Sequence, residues 1–223
     1  RGVLRLPLAM TEWTQRAHVL ADHAVSGVLG HVSSLHFDTM SELLWVGSAS
    51  GQLTSHTGAL PTLPRYTSLA AHGVPKQPRH VRGILSDDKF IISLSEGRVC
   101  ASQRQGLGRW SMQIEDHAPG VALAGLCASP QSASSDIIVG GAAPNSHDAL
   151  FALHSISGRV VRSAVSDGTV TQLRKGSRYL CVGTEQGTIQ LHDPRSLRAE
   201  HKLPAHHGGL IDLQTDGHLI YSI

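Results

Sequence analysis

Apolar and polar positions in this chain alternate over short runs that stop at glycine, proline or Asp/Ser clusters, and no long stretch keeps the period of an amphipathic helix. Tyr179 to Val182 is apolar and β-prone. Gly183 to Gly187 sets two glycines around polar residues, and Thr188 to Leu191 alternates polar with apolar, which predicts two antiparallel strands joined by a tight turn. Asp193-Pro194 closes the second strand, because proline has no amide for the ladder and biases the residue before it toward extended geometry. Ala199 to Leu203 reads as a third strand, and the unit ends at Ala205-His206.

The same order recurs. Leu43 to Leu53 repeats the strand, turn and strand start, followed by Tyr66 to Leu69 and Ala71-His72. Phe90 to Val99 is another copy, and Asp136 to Phe151 is a further one with a longer polar turn at Ala142 to Asp148. Equivalent turns lie about 46 residues apart from Gly51 to Gly97 and roughly 90, across two units, from there to Gly187, against the ~40 to 45 expected of a propeller blade. Strand, tight turn, strand ending in Asp, strand, then His is the order of a WD40-type blade, with His192-Asp193 where the usual Trp-Asp pair stands.

The fold class expected is therefore all-β: a WD40-type β-propeller of about four blades plus part of another. Further strands are expected at Val32 to Phe37, Val81 to Leu85, Val121 to Ala128, Val160 to Ala164 and Val170 to Arg174, with Gly209 to Leu213 and His218 to Ile223 opening one more blade. Gly106 to Trp110 reads as a turn leading into a strand at Ser111 to Ile114. Residues 1–29 form an N-terminal segment whose Glu12 to Leu20 would complete the last blade, and residues 30–223 carry the blades themselves.

Composition narrows the function classes. Charged residues make up 16% of the chain, there are 23 glycines, and net charge is +2 without a run of like charges, so the footprint of an autonomous nucleic-acid binder is missing. Three widely separated cysteines, Cys100, Cys127 and Cys181, read as buried thiols of a reducing compartment. No apolar run reaches the roughly 18 residues of a spanning helix, so no membrane role is expected and a cytoplasmic location is.

His72, His117 and His206 recur at one point of the repeat and are expected to hydrogen-bond inside the blades rather than to bind metal; no His-x-x-x-His or Cys-x-x-Cys spacing accompanies them. Gly47 to Gly51 and Gly183 to Gly187 open no helix and precede no Lys-Ser/Thr, so they read as hairpins and not as phosphate loops. Arg98, Arg104 and Arg109 fall close together in sequence, on one expected edge of a blade. No residue in the chain is expected to be catalytic, cofactor-binding or metal-ligating.

Particular residues add a family resemblance. Glu12-Trp13-Thr14, Ser34 to Asp38, Glu42 to Gly47, Arg65 to Ser68 and His192 to Leu197 through Ala205-His206 resemble the N-terminal WD40 propeller of the catalytic subunit of the poly(A)-nuclease (PAN) deadenylation complex. Leu35 to Gly47 with Tyr66 to Ser68 is the most specific part, and Trp-Asp signatures are missing. The resemblance implies a seven-bladed ring, of which these residues would be an incomplete part belonging to a longer protein.

It also implies a scaffold role in an mRNA-shortening enzyme. That family's full chain is a 3′-5′ poly(A)-specific exoribonuclease whose exonuclease domain, with its divalent metal, lies in another part of the chain. The partners implied are a dimeric pseudokinase regulatory subunit and poly(A) RNA coated with its binding protein. Two rivals stand beside this reading: a WD40 interaction scaffold of an unrelated assembly, and a propeller enzyme, which would need convergent acids or a metal that the sequence does not show.

Overall fold

The computed structural model describes residues 31–57, 65–69, 79–104, 107–128, 136–142, 149–216 and 219–223. The segment at Glu12 to Leu20 and His72 lie outside them. The chain divides into two compact units, Arg1–Val81 and Arg82–Ile223.

Among the described residues the first unit holds one antiparallel sheet of four strands in sequence order: β1 (Val32–Asp38), β2 (Leu43–Ser48), β3 (Leu53–Thr57) and β4 (Arg65–Leu69). The register pairs Trp45 of β2 with His36 on β1 and Ser55 on β3. Leu44 and Val46 pack with Val32, while Trp45 and Leu53 are fully buried.

Among its described residues the second unit holds three more sheets of the same plan. These are β5 (Gly83–Ser86) to β8 (Gly108–Gln113) with β6 (Phe90–Ser95) and β7 (Arg98–Gln103); β9 (Ala122–Ala128) to β12 (Val160–Ala164) with β10 (Asp136–Ala142) and β11 (Leu150–His154); and β13 (Val170–Lys175) to β16 (Ala199–Pro204) with β14 (Leu180–Thr184) and β15 (Thr188–His192). A two-stranded sheet follows, β17 (Leu213–Thr215) with β18 (Ile220–Ser222).

The middle strands explain why these segments read as apolar runs instead of clean alternations. On β10, Ile137 and Val139 join one cluster with Phe90, Ile92, Leu94 and Leu123, whereas Ile138 joins another with Val170, Leu173, Leu180 and Val182. Neighbouring side chains on a strand point to opposite faces, so both faces of that sheet are buried against a neighbour. β11 divides the same way, Phe151 and Leu153 to one side and Leu150 and Ala152 to the other. At the margin β16 is exposed along its whole length, and Lys202 and Pro204 on it are residues that discourage pairing with a stray strand.

The strand order and most boundaries follow the sequence pattern, with one shift. Gly108, Arg109 and Trp110 lie inside β8 and not in a turn, because Gly108 pairs with Ser102 and Trp110 with Ala101. Ile114, expected to end that strand, instead opens a short 3-10 turn, Ile114–Asp116, with its amide donating to the Gly97 carbonyl at 3.0 Å.

Trp45 is fully buried in the middle of β2, and its indole N–H has no hydrogen-bond partner among the described residues. Its contribution is therefore apolar bulk. We expect Trp45→Ala to cost about 3–5 kcal/mol and Trp45→Phe less than half as much, since phenylalanine keeps most of the bulk and removes an unsatisfied donor. Urea unfolding of the two variants checks this, and equal midpoints for Trp45→Ala and parent would contradict it.

Candidate functional site

The repeated unit is where chemistry-bearing side chains converge, and its tight turns are the first case. Gly51 and Gly187 carry positive φ values of 82° and 79°. Their amides donate to the carbonyls of Ser48 at 3.2 Å and Thr184 at 3.1 Å. The hydroxyl of each of those residues then accepts from the amide four residues on, Gln52 to Ser48 at 3.0 Å and Thr188 to Thr184 at 3.2 Å. Gly187 is also pressed from outside, since a Cβ there would lie 2.3 Å from the His206 carbonyl oxygen and 2.4 Å from that of Gly208. The inward amides are spent on the hairpin, so neither turn presents a row of free N–H groups to a phosphate.

A polar network runs through the last complete sheet. His192, at the end of β15 and fully buried, contacts the Leu197 carbonyl through Nδ1 at 2.8 Å and the Gln190 Oε1 through Nε2 at 3.0 Å. Gln190, also fully buried, donates through Nε2 to the Asp167 carbonyl at 2.6 Å, and Ser166 Oγ donates to Gln190 Oε1 at 3.4 Å. Burial pushes the His192 pKa below its ordinary value, opposed by the bond to Leu197 and reinforced by the nearby Lys202 charge.

The first unit carries a smaller counterpart, His56 Nε2 with Thr54 Oγ1 at 3.1 Å, two residues apart on the corresponding strand. His192 stands where the sequence put the counterpart of the Trp-Asp pair, and His56 stands near the end of β3 without having been singled out from sequence. Of the three histidines singled out from sequence, His72 lies outside the described residues and the other two sit in loops. His117 is exposed, and His206 is exposed and bonds Ser222 of β18 at 2.8 Å, not a residue of the sheet that precedes it. The in-blade bond expected of these histidines is therefore corrected at His117, whose loop position leaves the imidazole in water, whereas His206 does bond a strand, β18 of the sheet that follows.

The turn after β15 depends on Asp193. Its carboxylate accepts from the amides of Arg195 and Ser196, both at 3.1 Å, and from the Ser196 hydroxyl at 2.8 Å. These bonds, the Arg195 amide first, hold its pKa below the ordinary carboxylate value. Leu197, fully buried, closes the turn with a left-handed φ of 57°, an unusual conformation for a branched side chain that packing and the His192 bond to its carbonyl both hold.

The arginines do not form one patch. Arg98 begins β7, whereas Arg104 follows its far end, roughly 20 Å away along an extended strand. Arg104 donates to the Asp87 carbonyl, and Arg109 lies exposed on β8. Proximity in sequence becomes separation along a strand for Arg98, whereas Arg104 and Arg109 stay at the same end of the β7–β8 pair.

The three cysteines are free and buried. Burial drives the Cys100 thiol up to about 11 and the Cys127 thiol up to about 12, and raises that of Cys181 as well. Thiols held in that form are poor nucleophiles and poor metal ligands. Cys181 lines a cleft of about 270 Å³ with Tyr179, Leu191 and Ile220, in which no acid, base and nucleophile converge. Among the described residues no group of three His, Cys, Asp or Glu side chains could hold a metal ion, and no helix is long and apolar enough to cross a membrane.

Comparison with known proteins places this geometry. A family model described as PAN2 N-terminal matches residues 17–223. The PAN2-PAN3 deadenylation complex catalytic subunit of Aspergillus oryzae is 33% identical over 189 residues, 84% of this chain and 15% of that protein. The corresponding subunit of Schizosaccharomyces pombe is 31% identical over 192 residues, 86% of this chain and 16% of its own length. The chain thus spans about a sixth of the curated relatives it matches. The WD40 domain of Neurospora crassa Pan2 superposes with a TM-score of 0.74 at 27% identity, covering 86% of this chain and 56% of that one. The WD40 propeller of Doa1, at 15% identity and a TM-score of 0.65, shares the fold.

Two outcomes are expected at these sites. Thiol reagents at neutral pH should label the three cysteines slowly in the folded protein and rapidly in denaturant; fast labelling without denaturant would contradict their burial. Asp193→Ala should cost about 1 kcal/mol at neutral pH by leaving the turn amides unpaired. Because the folded Asp193 pKa lies below its unfolded value, its contribution is present above the ordinary carboxylate range and is lost as pH falls through the folded value. The gap in urea midpoint between parent and Asp193→Ala should therefore narrow in acid, and a gap that stays constant would contradict the role given to the carboxylate.

Proposed function

The chain belongs to the PAN2 N-terminal family, and from that premise we propose that it is the WD40 scaffold portion of the catalytic subunit of a poly(A)-specific ribonuclease complex that shortens mRNA poly(A) tails. The observation that carries this reading is the match to curated catalytic subunits of the PAN2-PAN3 complex over more than four fifths of the chain. The geometry supports a scaffold. Its convergent polar groups are spent on turns and on one buried network, and its chain of sheets offers surface rather than an enclosed chemical site.

In this role the segment contributes to subunit assembly with the pseudokinase partner of the complex, engaged as a dimer, and to engagement of poly(A) coated with its binding protein. The exonuclease chemistry and its divalent metal belong to another part of the full catalytic subunit, and the complex works in the cytoplasm. The relatives' names support the first partnership, since each is a subunit of a complex with PAN3.

Co-purification tests the reading: the protein carrying this chain should recover the pseudokinase subunit, and deleting the chain should weaken that recovery. Unchanged recovery after deletion would assign the contact elsewhere. Naked oligo(A) should bind the purified segment with a Kd weaker than about 1 μM at physiological salt, because a net charge of +2 and an aromatic content of 4% supply neither a phosphate groove nor a stacking platform. Tighter binding would show a direct RNA role.

A further inference from the structure

The hydrogen inventory around His192 does not balance with a neutral ring. The Leu197 carbonyl can only accept, so the Nδ1 contact at 2.8 Å needs a proton on Nδ1. Gln190 donates through Nε2 to the Asp167 carbonyl at 2.6 Å, and turning its amide over would set two oxygens face to face at that distance. Its Oε1 must then face His192 Nε2 at 3.0 Å, which needs a second proton on the ring. A neutral imidazole has one N–H. One of these three contacts must therefore open whenever the ring is neutral. The counterpart in the first unit has no such conflict, because the Thr54 hydroxyl facing His56 can donate or accept.

We propose that His192 is a proton-operated latch, which in its doubly protonated form ties the turn at residues 193–198 to the loop at residues 166–167 through Gln190 and which opens when Nε2 loses its proton to solvent. The charged and titratable groups around it have defined effects. Lys202 on β16 disfavours the imidazolium, although its ammonium is paired at 2.6 Å with Asp167, the residue whose carbonyl holds Gln190. Asp193, next in sequence, spends its carboxylate on the turn amides. The residues paired with His192 on β14 and β16, Leu180 and Ala199, do not titrate.

Burial sets the direction of the switch: it lowers the His192 pKa from the ordinary imidazole value, so that the second proton is gained on acidification. The unfolded chain takes up that proton at a higher pH than the folded one. Acidification through the histidine range therefore weakens the fold as a whole while closing the latch within it.

The ring nitrogens of His192, assigned in the purified labelled protein through the contact with Leu197, report both states by NMR between about pH 8 and about pH 5. The expected result is a reversible change from a singly to a doubly protonated ring while the chain stays folded. Gln190→Glu, which sets a carboxylate against Nε2, should raise the midpoint by about one pH unit or more. Gln190→Met, which removes the acceptor and keeps the bulk, should lower it. A ring that stays neutral until the chain unfolds would overturn the proposal. So would a midpoint that neither substitution moves.

Discussion

Burial of both faces of the middle strands is the constraint on which the rest of the second unit depends. A four-stranded antiparallel sheet with one wet face needs only alternate apolar positions, but β10 and β11 send adjacent residues into two different cores. That sheet cannot satisfy the pattern alone. The β9–β12 sheet lies against a neighbour on either side within the second unit, and the closeness required is visible at Gly125 on β9, where a Cβ would come within 2.8 Å of Leu173 Cγ on β13. Burial on two sides also sets the terms for every polar group on those strands. Ser93, Thr184, Gln190 and His192 are dry and must find partners nearby.

Local chemistry then fixes what packing leaves open. The hydroxyl clamp of Ser48 and Thr184 shapes the hairpins, with a glycine supplying the left-handed residue. Asp193 shapes the turn that feeds the edge strand, and Leu197 locks it from the apolar side. The outer strand β16 is left exposed and protected by charge, so that stability comes from the middle of each sheet while the margin stays free for contact.

The strand plan was legible in the sequence because turn residues and apolar runs recur with the repeat, and β13 to β16 fall within a residue or two of where the pattern puts them. What the pattern missed has physical causes. Gly108 read as a turn, yet it lies on an outer strand with open space around it, where a glycine costs little. The arginine grouping ignored the reach of an extended strand. The buried network of Gln190 and His192 was not read, since its other half comes from Ser166 and Asp167, more than twenty residues earlier. One signal was available: Thr54 and His56 stand at the same offsets after Gly51 as Gln190 and His192 after Gly187.

A double-mutant cycle across the contact between β9 and β13 tests the dependence on face-to-face packing most directly. Gly125→Ala forces a methyl group against Leu173, and Leu173→Ala alone opens a cavity expected to cost about 2–5 kcal/mol. If the sheets hold one another as described, each change partly relieves the other, and the combined variant should lose clearly less stability in urea unfolding than the two single variants added together. Strict additivity would mean that the two strands do not bear on each other, and would contradict the central claim.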